Sequence, residues 1–169
     1  MLKNLERNWV LRSRVPRTPA TNLKYYNLQS HQTMVRNHMK THDRLLIVHG
    51  TGSGKTLSAA HIAKDYFNQN PSKNIVIFIT PAAVQDQFKK SVMSVLRGRP
   101  GIYFTTYTSL TVFLHKLYTS RRERLQQMMK HAMIIADEAH YITDKSEKAR
   151  VFETLKHAEK VVLMTGTPI

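Results

Sequence analysis

The stretch that decides the fold is His49-Gly50-Thr51-Gly52-Ser53-Gly54-Lys55-Thr56, which directly follows the apolar run Leu45–Val48. Its glycines allow a tight backbone turn that can approach phosphate groups, and a helix starting near Lys55 would direct its amides and positive dipole end at them. The Lys55 ammonium would reach the β- and γ-phosphates, and the Thr56 hydroxyl would bind Mg²⁺. The residues expected to bind ATP are Gly50, Thr51, Gly52, Ser53, Gly54, Lys55 and Thr56.

A second motif, Asp137-Glu138-Ala139-His140, follows another apolar run. The run would deliver the Asp137 carboxylate to the Mg²⁺, and Glu138 would then orient or deprotonate the attacking water. His140 has two interpretations: a surface or capping histidine, or a link from the water side to the turn Thr165-Gly166-Thr167. The predicted catalytic residues are therefore Lys55, Asp137 and Glu138, and the predicted metal ligands are Thr56 and Asp137.

Short apolar runs alternate with longer amphipathic segments along the chain. The runs predict strands, each buried on both faces, at Leu45–Val48, Ile75–Thr80, Ile102–Thr105, Met133–Ala136 and Val161–Met164. The segments predict helices at 29–40, 55–68, 82–96, 109–118, 121–130 and 147–157. This alternation predicts an α/β fold, a mostly parallel sheet with helices on both faces.

Ligands of such folds bind beyond the carboxyl ends of the strands. The glycine turn, Asp137 and Thr165 each follow a predicted strand. We therefore expect all three motifs to meet at one edge of the sheet.

The length of 169 residues, with 41% hydrophobic composition, predicts a single domain. Residues 1–28 contain two prolines and scattered basic residues without periodicity, which predicts a basic, extended lead-in. The domain itself is expected to cover residues 29–169.

The net charge of +15 favours a polyanionic partner, and nucleic acid is the leading candidate. A solvated basic surface that only maintains solubility is the alternative. His31, His38 and His42 could share a helix face, but without acidic or cysteine partners they predict no structural metal.

The chain has no cysteine, and its apolar runs are far shorter than the roughly 20 residues that span a bilayer. We expect no disulfide and no membrane contact. An intracellular location follows as an expectation, nuclear or cytoplasmic, with the virion possible for a viral protein.

These motifs resemble those of superfamily 2 helicases and translocases. HGTGSGKT, DEAH and the terminal Thr165-Gly166-Thr167-Pro168 are similar to motifs I, II and III, and that group often lacks the first glycine of the strict phosphate-loop pattern, as at His49. The Thr-Gly-Thr-Pro form is more similar to DNA-translocating branches, including the transcription-related ATPases of large DNA viruses, than to DEAD-box RNA helicases.

The resemblance implies a RecA-like P-loop lobe in which the Thr165 strand lies between the strands that precede Lys55 and Asp137. It also implies coupling roles for His140, Thr165 and Thr167. Gln32 resembles the glutamine that reads the adenine edge, and a helix-surface glutamine is the equal alternative. By family position, the nucleic-acid contacts would be Pro81, Ala82, Gln87, Thr105, Thr106 and Tyr107, with Ser109 a possible helix cap.

The resemblance further implies a second RecA-like lobe, in cis or in trans, that carries the arginine finger. The first hypothesis is therefore the ATP-binding lobe of an ATP-dependent helicase or translocase that acts on nucleic acid, with DNA favoured over RNA. Such a lobe alone should bind ATP and turn it over weakly. The alternative is a stand-alone nucleotide-binding regulatory module of a transcription or packaging assembly.

Overall fold

The structure is a computed structural model, and it describes residues 10–11, 28–50, 52–69, 75–112, 122–143 and 155–167. Its strands are β1 (Val10–Leu11), β2 (Arg44–Val48), β3 (Ile75–Thr80), β4 (Ile102–Thr106), β5 (Ala132–Ala136) and β6 (Lys160–Thr165). Its α-helices are α1 (Ser30–Thr41), α2 (Lys55–Gln69), α3 (Gln85–Leu96) and α4 (Arg122–Met129). Residues 107–112 are also helical, and 3₁₀ turns cover Ala82–Val84 and Ala139–Thr143.

The strands form one parallel sheet in the order β1-β2-β6-β5-β3-β4. In its register Leu46 faces Leu163, and Ile134 faces Val161. The parallel α/β prediction is confirmed. β6, which ends at Thr165, lies between β2 and β5, so the turns after these three strands open on the same edge.

Alternate residues of β2, β3, β5 and β6 pack into two separate cores. On one face, Leu45 and Ile47 pack with the apolar sides of α1, α2 and α3. On the other face, Leu46 packs with the helical segment 107–112, the end of α4 and the 3₁₀ turn Ala139–Thr143. Because both faces of β2, β3, β5 and β6 are covered, these strands are largely apolar, and this is why continuous apolar runs predicted them correctly. β4 lies at the edge of the sheet, none of its residues is buried and Tyr103 is 57% exposed, so the expectation that this strand is buried on both faces was wrong.

The helices predicted at 29–40, 55–68 and 82–96 and, in their described parts, those at 109–118 and 121–130 are confirmed with two local differences. The segment predicted as a helix from Ala82 begins with the 3₁₀ turn, and α3 starts only at Gln85. The helix expected from Ser109 already starts at residue 107, because the Thr106 hydroxyl accepts a hydrogen bond from the Ser109 amide at 3.1 Å. Thr106 is therefore the cap, and the expectation for Ser109 was wrong.

Parts of three predictions fall outside the described residues: the lead-in 1–28, the end of the helix at 109–118 and most of the helix at 147–157. Within the described ranges, no helix combines the length and apolar character needed to cross a membrane.

At the opposite edge of the sheet, the Lys160 side chain stabilises the end of α1. The buried Lys160 ammonium donates to the carbonyls of Met39 and His42, each at 3.0 Å, and to Asp43 Oδ1 at 3.1 Å. The first two carbonyls belong to the end of α1, where the helix dipole favours a positive charge. This bond set ties α1, which carries Gln32, to the sheet.

Candidate active site

The glycine turn connects β2 to α2 through residues 49–54, of which Thr51 lies outside the described residues. Gly52 and Gly54 have φ angles of 79° and 76°, a region that L side chains rarely adopt. A Cβ built on Gly50 or Gly52 would meet no atom within 4 Å. The outer side of the turn is therefore open, as a ligand approaching its backbone requires.

The Lys55 ammonium curls back over this turn and donates to the His49 carbonyl at 2.8 Å. A Cβ built on Gly166 would lie 3.4 Å from Lys55 Nζ and 3.9 Å from Glu138 Oε1. Gly166 follows β6, Glu138 follows β5 and Lys55 follows β2. All three predicted motifs are thus brought together at the carboxyl edge of the sheet.

Asp137 is the residue of the site whose negative charge is disfavoured by burial. Its backbone N–H donates to the Ile79 carbonyl at 2.8 Å, which fixes the end of β5 against β3. Its Oδ1 is buried and has no hydrogen-bond partner among the described residues. Burial raises the pKa of the Asp137 carboxyl, and the neighbouring Glu138 charge adds to this, while a hydrogen bond from the Glu138 backbone and the charges of Lys55 and His140 act in the opposite direction.

Glu138, the next residue, is held by the turn after β6. Its Oε2 lies 3.2 Å from His140 Nδ1 and accepts from the Gly166 amide at 3.5 Å. Glu138 has a φ of 51°, an uncommon conformation for a residue with a side chain. The contacts on both sides of the carboxylate favour this strained conformation.

His140 connects that carboxylate to β6. Its Nδ1 also lies 3.2 Å from the fully buried Thr165 hydroxyl, which donates to the Thr167 carbonyl at 3.0 Å. The Thr167 amide in turn donates to Thr165 Oγ1 at 3.3 Å. His140, Thr165 and Thr167 therefore form a continuous polar path from Glu138, which is the geometry needed for the predicted link.

Gln32 is only 4% exposed, so the helix-surface alternative was wrong. Its Oε1 accepts from the Gln29 amide at 2.9 Å, and its Nε2 donates to the Gly54 carbonyl at 3.3 Å. The side chain thus lies directly behind the glycine turn. Its contact with adenine stays a prediction.

Five of the six predicted nucleic-acid residues lie at the carboxyl ends of β3 and β4, and the sixth, Gln87, lies in the first turn of α3. Ala82 and Gln87 are not buried, and Pro81, Thr105 and Thr106 are half-buried. Tyr107 differs, because it is 6% exposed and its hydroxyl donates to the Asp137 carbonyl at 2.5 Å. Burial raises the pKa of this hydroxyl, with further contributions from the Asp137 and Glu138 charges.

His31 and His38 of α1 and His42, which follows its last residue, do not converge. His38 and His42 stack with ring centroids 4.0 Å apart, whereas His31 faces the glycine turn. Among the residues that the structure describes, no group of three or more metal-binding side chains could hold a metal ion.

Sequence reasoning missed two contacts of the site. The Tyr107 hydroxyl supports the Asp137 backbone, and the His31 imidazole lies 3.0 Å from the Ser53 carbonyl. The only signal for His31 was its position immediately before Gln32. No sequence signal indicated that Tyr107 reaches Asp137, because the two follow strands that are separated by β3.

A family comparison matches residues 20–169 to the model described as type III restriction enzyme, res subunit. A putative ATP-dependent RNA helicase, L538, of Acanthamoeba polyphaga mimivirus is 28% identical over 147 residues, covering 84% of this chain and 29% of that protein. Nucleoside triphosphatase I of Choristoneura fumiferana entomopoxvirus is 29% identical over 146 residues, covering 78% and 22%. The chain spans less than a third of the length of these relatives.

Solved structures share the fold at low sequence identity. The SWI2/SNF2 ATPase core of Sulfolobus solfataricus, solved in complex with double-stranded DNA, has a TM-score of 0.61 and 22% identity, covering 85% of this chain and 32% of that one. The UvsW helicase of bacteriophage T4 has a TM-score of 0.65 and 12% identity, covering 87% and 55%.

Proposed function

Because the chain belongs to the family of the type III restriction enzyme res subunit, we propose that it hydrolyses ATP with Mg²⁺ as the motor lobe of a nucleic-acid helicase or translocase. Its fold is that of the RecA-like lobe of superfamily 2 helicases. The observation that carries the proposal is the buried Asp137 carboxylate, whose Oδ1 has no hydrogen-bond partner among the described residues and which lies beside Glu138 at the edge where the glycine turn opens.

The residues fit Mg²⁺ and a nucleoside triphosphate. A buried carboxylate oxygen without a hydrogen-bond donor, such as Asp137 Oδ1, is stabilised by a cation, and Mg²⁺ prefers carboxylate oxygen ligands. Thr56, at the start of α2, would supply the second ligand. A bound Mg²⁺ would neutralise negative charge on the terminal phosphates.

The phosphates would be held by the amides of the turn and by Lys55. For this the Lys55 ammonium exchanges its bond to the His49 carbonyl for phosphate oxygens. The positive φ angles of Gly52 and Gly54 are already those of a closed turn, so the backbone can bind with little loss of conformational entropy.

Glu138 would accept the proton of the attacking water. Its carboxylate is oriented from one side by His140 and from the other by the Gly166 amide, so it is held in one position before the water arrives. Through His140, the same carboxylate is coupled to Thr165 and Thr167. Movement of that turn would therefore change the position of the base.

A strand of nucleic acid would run over the carboxyl ends of β3 and β4, contacting Pro81, Ala82, Gln87, Thr105 and Thr106, with Tyr107 supporting the site from within. The +15 charge supports a polyanionic partner, and the two viral relatives described above are named putative ATP-dependent RNA helicase and nucleoside triphosphatase I. We propose DNA as the preferred partner. A second RecA-like lobe, in cis or in trans, would be needed for full turnover.

The test is ATP hydrolysis by the full-length protein with single- and double-stranded DNA and RNA, at low and at moderate salt. Lys55→Ala should abolish hydrolysis, whereas Lys64→Ala, an exposed lysine of the same helix, should behave as wild type. Nucleic acid should stimulate the wild-type rate, and more strongly at low salt. Hydrolysis that no nucleic acid stimulates would overturn the motor assignment, and stimulation by RNA alone would overturn the preference for DNA.

A further inference from the structure

The glycine turn is held from behind by two consecutive residues of α1. His31 Nε2 lies 3.0 Å from the Ser53 carbonyl, and Gln32 Nε2 donates to the Gly54 carbonyl at 3.3 Å. A carbonyl oxygen can only accept, so His31 Nε2 carries the hydrogen and donates it. Two adjacent peptide groups of the turn are therefore fixed by two adjacent side chains.

Ser53 is the residue of the turn that most needs such support. It lies between Gly52 and Gly54, both at positive φ, and glycines restrain the backbone least. The Ser53 hydroxyl is buried and has no hydrogen-bond partner among the described residues, so its side chain does not fix the peptide. The restraint on its carbonyl comes from His31.

The His31 ring also packs on the turn. It meets the His49 ring edge to face, with centroids 5.3 Å apart and planes at 78°. His49 is 3% exposed, and its backbone N–H donates to the Thr165 carbonyl at 3.1 Å. His31 therefore contacts the turn near both of its ends.

We propose that His31 is a positioning residue for nucleotide binding, whose hydrogen bond holds the Ser53 peptide so that the turn is formed before the triphosphate arrives. The proposal rests on the proposed function, because it concerns the same site. Because His31 contacts the turn through Ser53 and His49 and not through Glu138, its effect should appear in ATP affinity and not in the chemical step.

Two variants separate the hydrogen bond from the ring contact. His31→Phe keeps an aromatic ring against His49 and removes the donor. His31→Gln removes the ring and keeps an N–H at a similar distance from the backbone. His38→Phe is the matched control, because His38 lies on the same helix and stacks on His42, away from the turn.

A net hydrogen bond contributes about 0.5–1.5 kcal/mol, so His31→Phe should weaken Mg·ATP binding by about 2- to 12-fold. In the full-length protein, its KM for ATP should rise by that factor while kcat stays within about twofold of wild type. His31→Gln should recover most of the affinity, and His38→Phe should not change it.

Hydrogen exchange of the amides of residues 52–55 supplies a readout without nucleotide. His31→Phe should exchange faster there than wild type, while His31→Gln and His38→Phe should not. If His31→Phe had the ATP affinity and the amide exchange of the wild type, the proposal would be overturned. It would also be overturned if His31→Gln bound ATP as weakly as His31→Phe, because the effect would then come from ring packing and not from the hydrogen bond. A wild type that binds no better than Lys55→Ala would instead overturn the proposed function.

Discussion

Replacing Asp137 by Asn should stabilise the protein in the absence of Mg²⁺ and nucleotide, although it removes a predicted metal ligand. The Asp137 Oδ1 is buried without a partner among the described residues, and the pKa of the carboxyl is raised, so the folded state disfavours its charge. An asparagine keeps the shape and removes that charge. It also removes the repulsion from the adjacent Glu138.

The size of the effect follows from the cost of an unsatisfied buried group, about 1–3 kcal/mol. The Asp137→Asn side chain would still leave a polar atom without a partner, so we expect to recover only part of this cost, about 1–2 kcal/mol. For a chain of this size, that raises Tm by about 2–8 °C. Saturating Mg·ATP should reverse the order, because binding at 100 times Kd stabilises the wild type by about 2.7 kcal/mol and Asp137→Asn by much less.

The assay is thermal unfolding of the full-length protein, first in EDTA and then in excess Mg·ATP. The control is Asp65→Asn, the same chemical change at a carboxylate that accepts two hydrogen bonds from Arg36. That variant should lose about 1 kcal/mol under both conditions, since it breaks a partly buried ion pair. A lower Tm for Asp137→Asn in EDTA, or an unchanged order in Mg·ATP, would refute the reasoning.

Gly54→Ala should abolish Mg·ATP binding and lower stability by about 1–3 kcal/mol, because the φ of Gly54 is 76° and the new methyl group would collide with the Gln32 amide. Gly50→Ala is the control and should leave Tm unchanged, because there is open space around Gly50. If both alanines were tolerated equally, the geometry of the turn would be wrong. Burial is the main cause of a lowered pKa at three histidines, namely His38, His49 and His61. The unfolded chain, with histidine pKa values near 6.5, therefore binds more protons below that pH than the folded protein does. We expect Tm to be constant above about pH 6.5 and to fall as the pH drops to about 5.5. A Tm that stays constant over this range would contradict the lowered histidine pKa values. Lys160→Met should destabilise the protein by about 2 kcal/mol or more in chemical denaturation, since three acceptors lose their donor. Lys64→Met, at an exposed lysine, is the comparison, and equal denaturation midpoints for the two variants would contradict the role of Lys160.

The strands and the edge at which the motifs meet could be predicted from sequence because both follow from local patterns. Ile75–Ile79 and Met133–Ala136 are apolar at every position, and such runs occur where both faces of a strand are covered. The position of Asp137 follows directly from its place after β5. Neither prediction required knowledge of how elements distant in the sequence pack together.

The environment of each side chain could not be predicted in the same way. Gln32 is buried because α1 packs behind the glycine turn, where its side chain donates to the Gly54 carbonyl, a contact between residues 22 positions apart in the sequence. The observed cap is Thr106, three residues before the expected Ser109. Both residue types are favoured at helix N-caps, so the sequence alone does not determine which of the two caps the helix. The unpartnered state of Asp137 Oδ1 likewise depends on packing in three dimensions.

The measurement that tests the central claim most directly is the rate of ATP hydrolysis by Glu138→Gln in the full-length protein, with Mg·ATP binding measured beside it. The amide keeps the size of the side chain and cannot accept the water proton. We predict binding within about threefold of wild type, because Glu138 is not assigned to the phosphates, and a fall in kcat of about 100-fold or more, the usual contribution of a general base. Turnover at the wild-type rate would contradict the assignment of Glu138 as the base and, with it, the active site described for this lobe.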